Sequence, residues 1–506
     1  VRHVAAAFLL LPSMVAGARA AEPSGAFSET SAVLLNISEL DLNRIVVDSF
    51  HANGGPRFAG EKERVSSSVG DLRYSALFSD PVIRLRTDGS ALVSLEIKDA
   101  SLRIGRLERK IGGMQARCEG AGLDIDPGHP LAVELAVNLT IENGVLRLVP
   151  TSVDITDVED RLRLVQPARC SHTILPRWFL WWVGKPYLRR SFGKVDEAIL
   201  SRARKSAARL EEKEGLLAKR WKIPAERDGE PGRSLTLFPE TVDTSGRSLL
   251  VGLTASNVGP TAGRVRPRPL DDGAPRPSGS FLGISESFVN EVARRILSDK
   301  TGSRRASTGN LRKLLKSDAV YALVPGLRKI DKESVELEIR IPSVPRFEFR
   351  SLDDEASAAT VDRALIRVLL SDVEINLRKV SGGRASVLGT LRVESAMMSV
   401  APFANRLGGI SFRLVENQWK VSSTGLEFDE DLVAAALQEM TFGKVFKTSY
   451  DPLLTRTPRL GRTEFLPQAF AVNNGYLLIG LGEPSPPEGG AASAAATQTN
   501  TLLGSR

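Results

Sequence analysis

The chain has 506 residues, 42% hydrophobic and 25% charged, with a formal net charge of +8. That length allows two to four domains, each able to bury its own core. The composition excludes a low-complexity chain, and past the N-terminus no run of eighteen apolar residues occurs, which excludes a helical membrane span in the mature chain.

The first element is a predicted signal peptide over residues 1–20. Arg2 and His3 precede the apolar run Val4–Leu11, and Ala18-Arg19-Ala20 is a small-x-small cleavage site. The expectation is an exported protein, periplasmic or extracellular. Loss of Arg2 and Arg19 lowers the charge from +8 to +6. The first predicted helix follows. Ser38 stands at its N-cap and Glu39 in its first turn, favourable to the helix dipole. Leu42, Ile45, Val46 and Phe50 form one apolar face, and Gly54-Gly55 ends it. Strands come next. Val93, Leu95 and Ile97 alternate with polar residues, as do Leu131, Val133, Leu135, Val137, Leu139 and Ile141, and Glu142-Asn143-Gly144 supplies a hairpin turn.

Cys118 and Cys170 are the two cysteines. An even pair in an exported chain predicts a disulfide, and two buried thiols are the alternative. Beyond them, Trp178, Phe179, Trp181 and Trp182 sit among Arg177, Lys185, Arg189, Arg190 and Lys194. Such aromatics with flanking cations suit a membrane–water interface, and they equally suit packing under a sheet. A long helix is expected from about Trp178 to Arg220, bent or restarted at Pro186. Its apolar stripe is narrow: Val195, Ile199, Ala203, Ala207, Leu210 and Leu217. Between Lys185 and Lys222, twelve Lys/Arg face five Asp/Glu. That basic face suits anionic headgroups or plain solvation, and export argues against nucleic acid. Strands near Leu235–Phe238 and Leu249–Thr254 close the half, and the Pro/Gly/Arg-rich segment 259–280 reads as a linker.

The second half repeats the first. Residues 284–297, ISESFVNEVARRIL, match residues 37–50, ISELDLNRIVVDSF, with Ile, Ser, Glu and Asn in register and an offset of 247. The predicted helix again starts at a serine, Ser285, presents Val289, Val292, Ala293 and Ile296 on one face, and ends by Thr301-Gly302. Alternating strands recur at Val335, Leu337 and Ile339, at Ile366, Val368 and Leu370, at Val373, Ile375 and Leu377, and at Leu391 and Val393. A shorter helix is expected around Asp431–Phe446. The closing Leu477-Leu478-Ile479-Gly480-Leu481 matches Leu249-Leu250-Val251-Gly252-Leu253 at an offset of 228, with Pro467 and Pro239 preceding. The residues from 483 on read as a disordered tail.

Chemistry-bearing motifs are sparse. His3, His51, His129 and His172 are the four histidines, and none are paired at metal spacing. There is no GxSxG elbow, no Walker loop and no strand-linked GxGxxG. The expectation is no catalytic residues, no metal and no cofactor. A hydrolase reading would rest on Asp124 or His172.

Helix, long curved strands, long helix, closing strands, and then the same again: this order resembles the tubular lipid-binding (TULIP) superfamily. It is most similar to the bactericidal/permeability-increasing and lipopolysaccharide-binding protein family. The resemblance spans about residues 33–482 and rests on ISExxxN at the head of each half, the cysteine pair and the Pro…LL[VI]GL closures. It implies an α+β fold of two tandem domains, each a curved antiparallel sheet wrapped on a long helix, joined by a central sheet. The expected boundaries are 21–232, central strands at 233–258, the linker at 259–280, and a second domain at 281–482. It further implies a first-half disulfide between Cys118 and Cys170 and apolar grooves that hold acyl chains. The candidate groove residues are Ile45, Val46, Val133, Leu135, Val137, Val195 and Ile199, then Val289, Val292, Ile366, Val368 and Ile375. Trp178, Trp181, Trp182, Arg189, Arg190 and Lys194 are the candidates for membrane or headgroup contact. The expected partners are phospholipid or a lipopolysaccharide-like glycolipid and a peripheral membrane surface, with no nucleic acid. The competing reading is an envelope scaffold or adaptor using the same fold with a filled core.

Overall fold

The structure is a computed structural model. It describes residues 28–52, 55–62, 72–111, 114–125, 128–155, 162–165, 169–171, 200–201, 203–205, 236–244, 247–256, 270, 276–297, 302–306, 325, 335–342, 344–350, 365–381, 384–404, 410–425, 429–440, 459–460 and 463–482. The chain divides into two compact units: Pro23–Pro269 with Gly461–Thr463, and Leu270–Leu460 with Val1–Glu22 and Glu464–Arg506.

The first unit runs β1 (Ser28–Ser38), α1 (Glu39–Ala52), β2 (Arg57–Lys62), β3 (Leu72–Phe78), β4 (Val82–Leu85), β5 (Ser90–Ile111), β6 (Met114–Ile125), β7 (Leu131–Glu142), β8 (Val145–Ile155), β9 (Leu162–Val165), β10 (Arg169–Ser171), β11 (Thr236–Asp243) and β12 (Ser248–Ser256). The 22-residue β5 is its spine. One edge of β5 is shared by β7, opposite Ser90–Ile97, and by β6, opposite Ser101–Ile111. Its other edge is shared by β4 and β3. All of these pairings are antiparallel, so tight turns can connect neighbours. Asn143 and Gly144, with φ of 53° and 72°, turn β7 into β8. A two-residue turn of this kind needs positive φ twice, which Asn-Gly supplies.

The second unit runs β13 (Ser280–Ser285), α2 (Glu286–Leu297), β14 (Gly302–Ala306), β15 (Val335–Ile341), β16 (Arg346–Phe349), β17 (Ile366–Ser381), β18 (Arg384–Ala404), β19 (Ile410–Thr424), α3 (Glu430–Met440), two short strands β20 (Arg459–Leu460) and β21 (Thr463–Glu464), then β22 (Leu466–Asn473) and β23 (Tyr476–Gly482). Here β17 is the spine, with β16 and β15 sharing one edge and β18 along the other. The described helices are short, at 14, 12 and 11 residues. The long helix expected over 178–220 lies outside the described residues, except for helical residues 200–201 and 203–205. α3 is described to Met440.

The repeated ISExxxN motif is a clamp. Ser38 Oγ accepts the Asp41 amide at 3.1 Å, and Ser285 Oγ accepts the Phe288 amide at 3.1 Å, as N-caps do. The glutamates do more than complement a helix dipole. Glu39 Oε2 accepts the Leu85 amide at 2.9 Å, and Glu286 Oε2 accepts the Phe349 amide at 2.7 Å. Asn43 takes both backbone groups of Ile83: Nδ2 donates to its carbonyl at 2.8 Å and Oδ1 accepts its amide at 2.5 Å. Asn290 does the same to Phe347, at 2.8 Å each way. Each helix thereby docks on a short strand, β4 or β16, and satisfies peptide groups that an edge strand would otherwise leave bare.

The closures repeat too. Pro239 and Pro467 each sit at a β-bulge, where a missing N–H interrupts no ladder bond. Gly252 and Gly480 lie opposite the residues just past those bulges, Thr241 and Ala469. A Cβ on Gly252 would collide with the Thr241 hydroxyl, and one on Gly480 would come within 2.8 Å of Pro277 Cβ. Close approach of chains therefore explains the glycine in LL[VI]GL.

Replacing Asn290 by Leu should strand the peptide groups of the wholly buried Phe347. The expected loss is about 2–3 kcal/mol of unit stability in urea denaturation. Asn290→Asp should lose less, because one carboxylate oxygen still accepts the Phe347 amide.

Candidate functional site

Cross-strand register shows which side chains share a face. In the first unit, Ile83, Val93, Leu135 and Val153 form one row across β4, β5, β7 and β8. Beside it lie Leu95, Val133 and Ile155, then Ile97 and Leu131; on the other side lie Leu85, Ala91, Val137 and Pro150. The face is apolar throughout. The opposite face carries Ser94, Glu134 and Asp154 in one row. α1 is clamped to Ile83, at the end of the first apolar row.

Burial along this face is incomplete. Val133 and Val137 are buried, whereas Val93, Leu95, Ile97, Leu135, Val153 and Ile155 are half-buried. None of α1's fourteen residues is buried, so Leu42, Ile45, Val46 and Phe50 are all half-open. Leu40 is 81% exposed. Apolar surface that folding leaves wet is surface that a ligand can cover.

The second unit has the same rows with a different filling. Phe347, Val368, Met398 and Asn417 form the row that receives the clamp, and Phe349, Ile366, Val400 and Leu414 form the next. Phe347 is 0%, Ile366 1%, Val368 3% and Met398 1% exposed. On α2, Phe288, Val289, Val292 and Ala293 are all buried. Further along, half-buried Leu370, Ile375, Trp419 and Val421 alternate with buried Val373, Leu377, Leu391, Val393 and Ala396.

Ile45, Val46, Val133, Leu135 and Val137 thus lie on the docked helix and sheet face of the first unit. Val289, Val292, Ile366 and Val368 lie in a closed core, and Ile375 is half-buried between buried Val373 and Leu377. Val195 and Ile199 fall outside the described residues, as do Trp178, Trp181, Trp182, Arg189, Arg190, Lys194 and His172. Register places Cys118 of β6 opposite Cys170 of β10. Two residues escaped the sequence reading in their binding role, the clamp asparagines Asn43 and Asn290. The asparagines had a signal: Asn is a poor helix former, yet it occupies the same interior helix slot in both copies.

Several of the described titratable groups are paired. Arg103 holds Asp124 through both guanidinium nitrogens, the Nη2–Oδ2 bond at 2.8 Å. His51 Nε2 meets Asp80 Oδ1 at 2.8 Å on the surface. Bonds from Lys420 and Ser422 hold the Glu394 carboxyl below its usual range, and the Arg392 guanidinium is raised by Asp372. Among the described residues, no three His, Cys, Asp or Glu are grouped to hold a metal ion, and no helix is long and apolar enough to cross a membrane.

No protein-family model matches the chain, and no curated protein matches it. Similar solved structures include the following three. The lipopolysaccharide binding protein is 11% identical, with a TM-score of 0.40 over 89% of this chain and 98% of that one. P47 of Clostridium botulinum E1 is 9% identical, with a TM-score of 0.27 over 90% and 100%. Epiphyas postvittana Takeout 1 is 16% identical, with a TM-score of 0.18 over 32% and 78%. All three scores fall below 0.5, and what the two units themselves repeat is a clamped helix, a spine strand with shared edges and a closing bulged hairpin.

The difference in burial has a measurable consequence. Val292→Glu puts a carboxylate into a closed core and should cost about 4 kcal/mol or more. Val46→Glu, on the half-open α1, should cost about 1 kcal/mol. Denaturant titration of the two variants checks the ordering.

Proposed function

We propose that this is a lipid-binding protein of the cell envelope or extracellular space, holding acyl chains on the apolar face of its first unit. One observation carries the proposal: α1 and the sheet beside it present apolar side chains that the fold leaves half-open. Each buried CH₂ of an acyl chain contributes about 0.8 kcal/mol. A long chain is then held tightly without any polar contact, and no catalytic group is needed. The cargo is phospholipid or a lipopolysaccharide-like glycolipid, and the work is carriage or sensing rather than catalysis. In this reading the two units are tandem TULIP-like domains, and Trp178, Trp181, Trp182, Arg189, Arg190 and Lys194 meet a membrane surface peripherally. Export through the 1–20 signal makes a Cys118–Cys170 disulfide. Directly opposed residues in antiparallel strands have Cα atoms about 4.5–5.5 Å apart, within the span a disulfide bridges.

The closed core under α2 favours a second reading for that region, a filled scaffold. The two readings separate on native mass spectrometry with organic extraction of the mature protein. A stoichiometric lipid, lost in Leu135→Glu while the fold persists, is the expected result. A protein that stays empty after incubation with phospholipid and glycolipid vesicles would leave the scaffold in its place. Mass measurement before and after reduction should show a 2 Da gain if the disulfide is present.

A further inference from the structure

Strand β7 carries the run Asn138-Leu139-Thr140. Asn-x-Ser/Thr, with x other than proline, is the acceptor pattern for N-linked glycans on exported chains. The transferase grips the hydroxyl two residues on while it activates the asparagine amide, so both side chains are required. The same pattern occurs at Asn36-Ile37-Ser38 in β1. The fold treats the two runs in opposite ways.

Asn36 is 8% exposed and sits opposite Leu250 of β12. Ser38 Oγ is committed to α1, where it accepts the Asp41 amide and donates to Asp41 Oδ2 at 2.7 Å. A glycan on Asn36 would have to be buried in the sheet. Asn138 is exposed. It stands opposite Val149 of β8, a valine left 39% exposed. Cross-strand neighbours lie close enough for a sugar on one to cover the other. Thr140 Oγ1 makes no hydrogen bond, so the fold does not engage that hydroxyl. Val133, Leu135 and Val137, the alternate residues of the same strand, carry the apolar inner face. A group attached at Asn138 therefore leaves that face clear.

We propose that Asn138 is a site of N-linked glycosylation, the donor being an oligosaccharide carried on a polyprenyl diphosphate. Asn138 Nδ2 attacks the anomeric carbon of the first sugar. The N–C bond forms, the bond from that carbon to the diphosphate oxygen breaks, the polyprenyl diphosphate leaves, and the amide gives one proton to the transferase. Transfer acts on the chain before it folds, so both runs are offered and folding selects between them. A glycan on Asn138 ends in solvent over Val149, whereas a chain modified at Asn36 would not fold. The inference goes beyond the lipid-binding reading and rests only on its export part. It assigns the outer face of β7 and β8 to solvent, opposite the apolar face.

The test is secretion of the full chain, behind its own N-terminal segment, from cultured insect cells. Peptide N-glycosidase F turns a glycosylated asparagine into aspartate as it removes the sugar. Treatment of the secreted protein should lower its intact mass by a single glycan. Peptide mapping should find the conversion at Asn138 and none at Asn36. Asn138→Gln and Thr140→Ala should each lose the glycan. Thr140→Ser should keep it, which separates loss of the acceptor from damage to the fold. If the chain stays inside the cell, the export reading fails and this inference with it. If the chain is secreted with Asn138 unmodified, or with its glycan on Asn36 instead, this inference alone fails.

Discussion

The structure depends on a side-chain amide that behaves as a piece of β-strand. Asn43 and Asn290 each give one N–H and one C=O to a single residue of an edge strand, while a glutamate four residues earlier takes the next amide but one. A helix normally meets a sheet through apolar contacts, which are non-directional and tolerate sliding. Directional bonds at the helix start remove that freedom. They also cover the exposed edges of β4 and β16, strands of only four residues each.

Because the clamp acts in the first turn and a half, it fixes where each helix begins without fixing how deeply it sinks. The two copies use that latitude differently. α2 brings Phe288, Val289, Val292 and Ala293 down into a closed core. α1, held by the same bonds, buries none of its residues. The surroundings differ accordingly: Leu40 and Val82 are exposed in the first unit, where the second places Ser287 and Arg346. One frame supports a packed interior and a half-open apolar face, and this contrast directs the functional reading to the first unit.

The charged residues serve the outer faces. Asp124, weighed in the sequence as a possible catalytic carboxylate, is held by Arg103 of the neighbouring strand. Arg378 and Glu338 meet across β17 and β15 at 3.1 Å, and Lys420 and Glu394 across β19 and β18 at 2.7 Å. Such pairs set strand register more than they stabilise, since solvent screens most of them. What remains on the described inner face of the first unit to recognise a ligand is hydrocarbon.

Local periodicity alone determined much of this protein. Alternation placed β5, β7, β17 and β18, the serines marked both helix starts, and Asn143-Gly144 marked a hairpin, because strand period, capping and positive φ are local demands. The duplicated ISExxxN and LL[VI]GL segments marked the frame, although their sequence could not say that Glu39 and Asn43 reach across to Leu85 and Ile83, some forty residues on. Only tertiary structure decided that, because a side chain's partner depends on which strand ends up alongside. It also decided how deep each apolar residue lies. Ile45 and Val292 occupy equivalent slots on amphipathic helices, and nothing in their periodicity separates them. Their burial differs because depth is set by the packing of the whole unit, which a pattern along one helix does not contain.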